Sequence, residues 1–220
     1  MTPLSRDQLA QVVAADIPVN SYVNLGVGMP TGVAKHLKPE QGVTLHSENG
    51  ILGMQALLDG QSPDPDLVNA SREWVTLTPG AAICDHVVSF SMMRGGHIDV
   101  TILGGFQVSV DGDLANWDTG VPGAIPAVGG AMDLVAGAKR VFVMMQHTDR
   151  DGHSKLVKAC TYPLTGQRVV SRVYTDLAIF DVAQDRFVVR AMLAGMTFDQ
   201  LQAVTDAPIE LAGDCRMLSV

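Results

Sequence analysis

The chain has 220 residues, of which 47% are hydrophobic and 17% are charged, and its formal net charge is -8. This length suits a single domain over residues 1–220, and the apolar share is sufficient for a substantial core. The negative charge argues against nucleic acid and anionic membranes as partners, because both require a basic surface.

Cysteine usage and the N-terminal sequence predict a cytoplasmic protein. Cys84, Cys160 and Cys215 are far apart and lack C-x-x-C spacing, so we expect neither a disulfide framework nor a structural zinc site. The first residues lack the basic start and apolar run of a signal peptide. No apolar stretch in the sequence is long enough to span a bilayer.

The first part of the chain alternates predicted helices and strands. Helical spacing of apolar residues predicts a helix over 6–17, and a strand follows at 22–25. A second helix over 31–37 and a second strand over 43–46 continue the pattern. Residues 51–58 are apolar enough to predict a buried helix.

The rest of the chain keeps this alternation and then becomes β-rich. Strands are predicted at 74–78, 100–103 and 141–145, helices at 86–93, 131–138 and 197–206, and a long loop at 104–130. Three close β-rich segments, at 169–174, 178–182 and 187–192, predict an antiparallel excursion near the C-terminus. The predicted fold class is therefore α/β, with an open, mostly parallel sheet, helical layers and a β-rich C-terminal excursion.

Polar residues at the ends of predicted strands are candidates for chemistry, because α/β sheets bind ligands there. Glu48 follows an apolar strand and precedes Asn49-Gly50, so its carboxylate would lie on a tight turn where backbone N–H groups stabilise negative charge. A carboxylate held in this way can act as a nucleophile. The local pattern by itself favours a plainer interpretation, in which Ser47 caps a helix and Glu48 is a first-turn acid.

Two further segments carry similar alternatives. Asn24, at the end of an apolar strand, can offer an amide donor to a ligand or cap the following turn. Gly129-Gly130 precede a predicted helix, so their N–H groups can face an anion, or the glycines simply allow the chain to turn. The six histidines show no metal-ligand spacing and are predicted to be structural or exposed. Arg94, Lys155 and Lys158 can meet the phosphates of a ligand, but the pattern favours solvated surface charges for all three.

Several motifs in the same order resemble those of the family I coenzyme A (CoA) transferases, and most closely the B (β) subunits of the 3-oxoacid CoA-transferases. They are Asn24-Leu25-Gly26-Val27-Gly28-Met29-Pro30, Ser47-Glu48-Asn49-Gly50-Ile51-Leu52-Gly53, Met93-Arg94-Gly95-Gly96-His97, Gly112-Asp113-Leu114-Ala115-Asn116-Trp117, Gly129-Gly130-Ala131-Met132-Asp133-Leu134 and Thr161-Tyr162-Pro163-Leu164-Thr165-Gly166. The resemblance covers about residues 10 to 190 and outweighs the plainer interpretation of Glu48.

The resemblance implies the fold shared by CoA transferases and the NagB/RpiA-like proteins. It also implies a ping-pong reaction in which Glu48 becomes a glutamyl-CoA thioester. It makes Asn24 and Gly130 the expected oxyanion donors, with Asn49 and Asn116 supporting the site. CoA would be a substrate, and no permanently bound cofactor or metal is expected.

The resemblance further implies a partner subunit and the two acids between which CoA is transferred. The family's other half carries a G-x-G-G-F motif, and Leu103-Gly104-Gly105-Phe106 lacks its first glycine, so a separately encoded A (α) subunit is expected. The stretch 120–134 is similar to bacterial 3-oxoadipate:succinyl-CoA transferases, which implies succinyl-CoA as donor and 3-oxoadipate as acceptor. The segment 81–86 departs from that pattern, so an acetoacetate- or acetate-type transferase stays open.

Three other functions remain open at this point. A sugar-phosphate isomerase on the same kind of fold would use Glu48 as a base. A non-catalytic subunit would only bind and stabilise its partner. A thiol enzyme would use Cys84, which lies close to His86 in the sequence.

Overall fold

The chain forms a large mixed β-sheet with helices on both faces. In this computed structural model, the described residues are 2–57, 60–121, 123, 125–126 and 128–218. The α-helices in these ranges are α1 (Arg6–Asp16), α2 (His86–Arg94), α3 (Ala131–Gly137) and α4 (Phe198–Ala203), and 3₁₀ helices occur at Met29–His36 and Pro39–Gln41. The strands are β1 (Tyr22–Leu25), β2 (Thr44–Ser47), β3 (Ile51–Ala56), β4 (Val75–Ile83), β5 (Val100–Leu103), β6 (Gln107–Ser109), β7 (Leu114–Ala115), β8 (Arg140–Met144), β9 (Leu156–Val157), β10 (Val170–Tyr174), β11 (Ala178–Ala183), β12 (Arg186–Leu193) and β13 (Ile209–Leu218).

The centre of the main sheet is parallel. Within the described residues, its strand order is β13-β12-β11-β10-β8-β5-β1-β2-β3-β4. The neighbours from β10 through β8, β5 and β1 to β2 run parallel, so their carboxyl ends lie along one edge. Antiparallel neighbours β3 and β4 extend one side, and β11 and β12 extend the other. The predicted α/β sheet, mostly parallel with a β-rich C-terminal part, is thereby confirmed.

The core has two halves because neighbouring residues of a strand point to opposite faces of the sheet. On β8, Phe142 and Met144 pack in the half that contains the apolar face of α1. Val141 and Val143 pack in the other half, with residues from α2, α3 and α4. The sheet centre is therefore covered on both faces, which fixes the positions of the strand ends.

The segment that begins at Ile51 is a strand, and the predicted helix over 51–58 is wrong. β3 pairs antiparallel with both β2 and β4, and its glycine Gly53 has a φ of 88°, outside the helical range. A short apolar run has no periodicity that separates a buried strand from a buried helix. Leu58 lies outside the described residues.

Two other boundaries differ from the predicted elements. The strand predicted over 74–78 continues through Pro79 and Gly80 in β4, which lies at the edge of the sheet where a proline needs no ladder partner. The predicted loop over 104–130 contains β6 and β7, which join β9 in a small second sheet. In that segment, Pro122, Ala124 and Ala127 lie outside the described residues.

The end of the chain also contains more strand than its pattern predicts. β13 follows α4 and runs parallel to β12, whereas the sequence predicts no element after 206. Across the described part of the chain, no helix has both the length and the apolar character needed to cross a membrane.

Candidate active site

Glu48 lies on a tight turn between β2 and β3, as its neighbours predict. The Gly50 N–H donates to the Ser47 carbonyl oxygen at 2.9 Å, and Gly50 has a φ of 111°. A Cβ at Gly50 would overlap the carbonyl oxygen of Cys84, which directly follows β4, so glycine is required for the turn to pack there. No helix starts here: the Ser47 Oγ accepts from the Ala70 N–H at 2.9 Å, and the capping interpretation is wrong.

The Glu48 carboxylate is half-buried beside the backbone that precedes α3. Burial raises its pKa and is the largest influence, whereas the charge of His86 and a hydrogen bond from the Gly130 N–H lower it, and the nearby Asp133 raises it. A Cβ at Gly130 would overlap a Glu48 carboxylate oxygen. Glycine at this position therefore lets the carboxylate approach the backbone closely enough to accept its N–H.

A cavity of about 770 Å³ opens in front of Glu48. It is lined at the carboxyl ends of β1, β2, β5 and β8, where α/β sheets usually bind ligands. The polar and glycine residues that line it are Asn24, Glu48, Arg72, Gly104, Gly105, Asn116, Gly129, Gly130, Gln146 and Lys155, together with Gly26. Four of the five predicted site residues, Glu48, Asn24, Gly130 and Asn116, thus share one cavity.

Asn49 does not reach this cavity, although the sequence groups it with the other four. Its side chain is exposed, and its Nδ2 donates to the Val68 carbonyl oxygen at 2.8 Å. Among the described lining residues Asn49 does not occur. The contact fixes the turn against the following loop, so Asn49 supports the backbone around Glu48.

Asn116 connects two segments that line the cavity. Its Nδ2 donates to the Gly104 carbonyl oxygen at 3.0 Å, and its Oδ1 accepts from the Thr165 hydroxyl at 2.6 Å. The backbone N–H of Asn116 also donates to Thr165 Oγ1, at 3.2 Å. These bonds hold the segment that contains Asn116 against the chain after β5 and against the segment that contains Thr165.

Asn24 is buried and lies next to His46, because β1 and β2 pair in parallel with Asn24 opposite His46. The Asn24 Nδ2 lies 3.0 Å from His46 Nδ1 and 3.3 Å from the His46 carbonyl oxygen. An amide nitrogen only donates, so His46 Nδ1 is the acceptor and the imidazole proton is on Nε2. Burial lowers the pKa of His46 to about 4, in keeping with a neutral ring.

The same imidazole connects Asn24 to the backbone of Glu48. His46 Nε2 lies 3.0 Å from Ser89 Oγ, and Ser89 Oγ donates to the Glu48 carbonyl oxygen at 2.8 Å. A carbonyl oxygen only accepts, so every hydrogen bond in the series runs in one direction, from the amide of Asn24 to the backbone of Glu48. We call these four residues the Asn24–Glu48 relay.

Sequence reasoning missed His46 and Ser89 and favoured the wrong environment for Lys155. His46 had a signal, since it is a polar residue in an otherwise apolar strand that ends at the candidate nucleophile. Ser89 had none, because it belongs to a helix that only the tertiary fold places against β2. For Lys155 the sequence leaves a ligand contact or a solvated surface charge open, and the favoured second alternative is wrong: the residue is half-buried and lines the cavity.

The cationic residues at and near the cavity differ in how far they are exposed to solvent. Lys155 has its pKa lowered to about 8 by burial, an effect that the charges of Asp149 and Asp176 oppose. Arg72 also lines the cavity but is exposed. Arg94, at the end of α2, is exposed and pairs with Asp133 at 2.6 Å. We identify no metal site in the cavity from the described residues.

Comparison with known proteins gives consistent matches over nearly the whole chain. The family model for coenzyme A transferase matches residues 6–203. The B subunit of the Pseudomonas putida 3-oxoadipate CoA-transferase is 55% identical over 206 residues, which cover 94% of this chain and 96% of that protein. The B subunit of a probable succinyl-CoA:3-ketoacid coenzyme A transferase from Bacillus subtilis is 45% identical over 204 residues, covering 92% and 94%.

A solved structure shares the fold at low sequence identity. The acyl-CoA transferase of Escherichia coli O157:H7 superposes with a TM-score of 0.78 at 17% identity. The match covers 100% of this chain and 44% of that one, so this chain spans less than half of the length of the Escherichia coli protein.

Proposed function

Because the chain belongs to the coenzyme A transferase family, we propose that it is the catalytic subunit of an enzyme that moves CoA from succinyl-CoA to 3-oxoadipate through a thioester on Glu48. The family match supports CoA transfer itself. The observation that carries the role of Glu48 is its half-buried carboxylate, which accepts the Gly130 N–H at the wall of the strand-end cavity.

The proposed reaction has two half-reactions with the same steps in reverse order. A Glu48 oxygen attacks the thioester carbonyl carbon of succinyl-CoA, the C–S bond breaks, and a succinyl-glutamyl anhydride and CoA thiolate form. The thiolate then attacks the Glu48 carbonyl carbon, which releases succinate and leaves the glutamyl-CoA thioester. The acceptor carboxylate repeats these steps in reverse and leaves as its CoA ester, so that the Glu48 carboxylate is restored.

The environment of Glu48 suits a nucleophile that must stay ionised. Burial raises the carboxyl pKa and makes the anion more reactive, while His86 and the Gly130 N–H lower the pKa and favour the charged form. Each step passes through an oxyanion, and hydrogen-bond donors aimed at that charge stabilise it. We assign this role to the Gly130 N–H and to one N–H of Asn24, whose Nδ2 also contacts His46.

A second chain is part of the proposal. The Pseudomonas putida and Bacillus subtilis relatives are named as B subunits, and this chain covers almost all of their length. We therefore propose that a separately encoded A subunit completes the enzyme. Shielding the cavity from water would protect the anhydride and the thioester from hydrolysis.

The choice of acids follows the relative at 55% identity, which is named for 3-oxoadipate. The relative at 45% identity is named for succinyl-CoA and a 3-ketoacid. Succinyl-CoA as donor agrees with the second name, and 3-oxoadipate as acceptor with the first. Acetoacetate is the alternative acceptor, and adding each acid in turn to the CoA-loaded enzyme separates the two.

The test is intact-mass spectrometry of this chain with its A subunit and succinyl-CoA. The wild-type chain should gain the mass of CoA less one water, and 3-oxoadipate should remove the adduct. Glu48→Gln should form no adduct and should lose at least about a thousandfold in turnover, because the nucleophile is gone. Glu40→Gln is the matched control, since Glu40 is an exposed carboxylate on a 3₁₀ helix.

The outcomes separate the proposal from its competitors. Full activity in Glu48→Gln would make this chain a non-catalytic subunit. An adduct that persists in Glu48→Gln and disappears in Cys84→Ala would identify a thiol enzyme. Absence of an adduct with every acyl-CoA, in an assembled wild-type enzyme, would remove the glutamyl-CoA mechanism.

A further inference from the structure

Lys155 is a half-buried cationic residue on the lining of the cavity that contains Glu48. The residue lines the cavity, and its backbone is fixed on both sides. The Lys155 N–H donates to the His147 carbonyl oxygen at 3.0 Å, and its carbonyl oxygen accepts from the Val108 N–H at 2.9 Å. The side chain therefore starts from a fixed backbone position just before β9, which limits the region that the ammonium group can reach.

This ammonium group has no ion-pair partner within the part of the chain that the structure describes. The acids that influence it, Asp149 and Asp176, bond elsewhere. Asp176 Oδ1 accepts from the His147 N–H at 2.7 Å, and Asp149 Oδ1 accepts from the Asp151 and His153 N–H groups at 2.9 Å each. A half-buried charge without a partner costs stability, and such groups occur where a ligand supplies the opposite charge.

The position of Lys155 differs from that of Arg72, the other cation on the described cavity lining. Arg72 is exposed, whereas Lys155 is half-buried, and burial lowers the Lys155 pKa to about 8. An anion bound at Arg72 would be screened by water and salt. An anion bound at Lys155 would gain more from the same charge, because it would be partly removed from water.

We propose that Lys155 binds the distal carboxylate of dicarboxylic substrates, the group that succinyl and 3-oxoadipyl chains carry beyond the reacting carbonyl, and thereby sets a preference for dicarboxylic over monocarboxylic acids. This inference rests on the proposed function, because it takes Glu48 as the reacting group. A monocarboxylic acid such as acetoacetate has no second carboxylate for Lys155, so its transfer would not depend on this charge.

The test uses the assembled two-subunit enzyme loaded with CoA on Glu48. Excess donor is removed, an acceptor acid is added, and the rate of adduct loss is followed by intact mass. Lys155→Gln should slow the loss to 3-oxoadipate about ten- to hundredfold, the value of one charge-assisted hydrogen bond. Loss to acetoacetate should change less than about threefold, which is within the range of an uninvolved side chain.

Two further variants keep the test decisive. Lys155→Arg keeps the charge and should retain most of the preference for 3-oxoadipate, and it replaces the glutamine variant if that variant does not assemble. Lys158→Gln is the matched control, because Lys158 is an exposed lysine three residues away. It should leave both acceptor rates as in the wild-type enzyme.

Each contrary outcome has a distinct meaning. Equal slowing of adduct loss to both acids in Lys155→Gln overturns the inference. Slower loading of this variant from every acyl-CoA also overturns it, and would assign Lys155 to a CoA phosphate instead. An unchanged ratio of the two rates in Lys155→Gln also overturns it. Failure of the wild-type enzyme to form any adduct would contradict the proposed function and is seen before the acceptor step.

Discussion

Half-buried charged side chains have different kinds of partner in the C-terminal strands β10–β13 and at the cavity. In the C-terminal strands, the charges pair with one another: Arg172 contacts Asp181 at 2.6 Å and Asp16 at 3.1 Å. At the cavity, Lys155 has no ion pair among the described residues. The Glu48 carboxylate has a backbone N–H as a partner. The charges of the first region are therefore paired within the protein, whereas under the proposed function those of the second are available to a ligand.

Two buried histidines repeat this difference. His46 and His147 each have a pKa lowered to about 4, with burial as the largest cause, and both are neutral near pH 7. His147 contacts the hydroxyls of Thr175 and Thr205, and neither threonine is among the described lining residues of the cavity. His46 instead belongs to the Asn24–Glu48 relay. Burial and protonation are alike in the two histidines, so only their partners distinguish them.

The largest effect that tests this comparison is expected from Gly130→Ala. The added Cβ would overlap the Glu48 carboxylate and displace it from the Gly130 N–H. Loss of one oxyanion donor costs about a hundred- to a thousandfold in kcat, so turnover should fall by at least that factor. Steady-state kinetics of the assembled enzyme would measure it.

Gly213→Ala provides the control for this variant. A Cβ at Gly213 meets nothing within 4 Å, and the residue lies on β13, which is far from the cavity lining in the sequence. Its turnover should match that of the wild-type enzyme. If Gly130→Ala retained full kcat, neither the close approach of Glu48 nor the donor role of the Gly130 N–H would matter for catalysis.

The two histidines allow a paired test with a smaller effect on activity. Glutamine at position 46 or 147 leaves buried partners poorly satisfied, so each variant should lose about 1–3 kcal/mol of unfolding free energy. Only His46→Gln should also lower kcat, by about ten- to hundredfold, because the relay positions Asn24 and Glu48. KM for succinyl-CoA should change little.

Urea denaturation and steady-state kinetics of both variants would check this pair. An equal loss of kcat in His147→Gln would mean that lowered stability, and not the relay, causes the effect. Unchanged kcat in His46→Gln would reduce the relay to a structural feature.

The smallest effect concerns the two half-buried cations. Arg172→Met leaves Asp16 and Asp181 with weaker partners and should lower the unfolding free energy by about 1–3 kcal/mol, between the values for surface and buried pairs. Its kcat/KM should be unchanged. Lys155→Met removes an unpaired charge and should leave stability unchanged or higher. Denaturation of both variants tests this, and similar losses in the two would contradict the difference between the regions.

Much of the sheet could be predicted from sequence, and so could the positions of Asn24 and Glu48 at the ends of their strands. The strands around Asn24 and Glu48 are bounded by turn residues, and polar side chains stand out where apolar runs stop. The helix expected from Ile51 was wrong, since a short apolar run does not distinguish strand from helix. β13 was missed because Glu210, Asp214 and Arg216 interrupt its apolar pattern at the sheet edge.

The residues that surround Glu48 were harder to predict, because distant segments form the cavity. Lys155 is more than one hundred residues from Glu48 in the sequence, and nothing beside it marks a buried position. Ser89 meets His46 only because α2 packs against β2. Local patterns record how a residue suits its own element, and they carry no information on which elements meet in space.

The hydrogen bond from Ser89 has a consequence for how Glu48 can move. It fixes the Glu48 carbonyl oxygen, while the Gly50 N–H closes the turn on the other side. The main chain is thus held on both sides of the residue. In the proposed reaction, the displacement between free carboxylate, anhydride and thioester would then occur by rotation about the glutamate side-chain bonds. Aspartate, one methylene shorter, would have both less reach and one fewer rotation with which to follow the reaction.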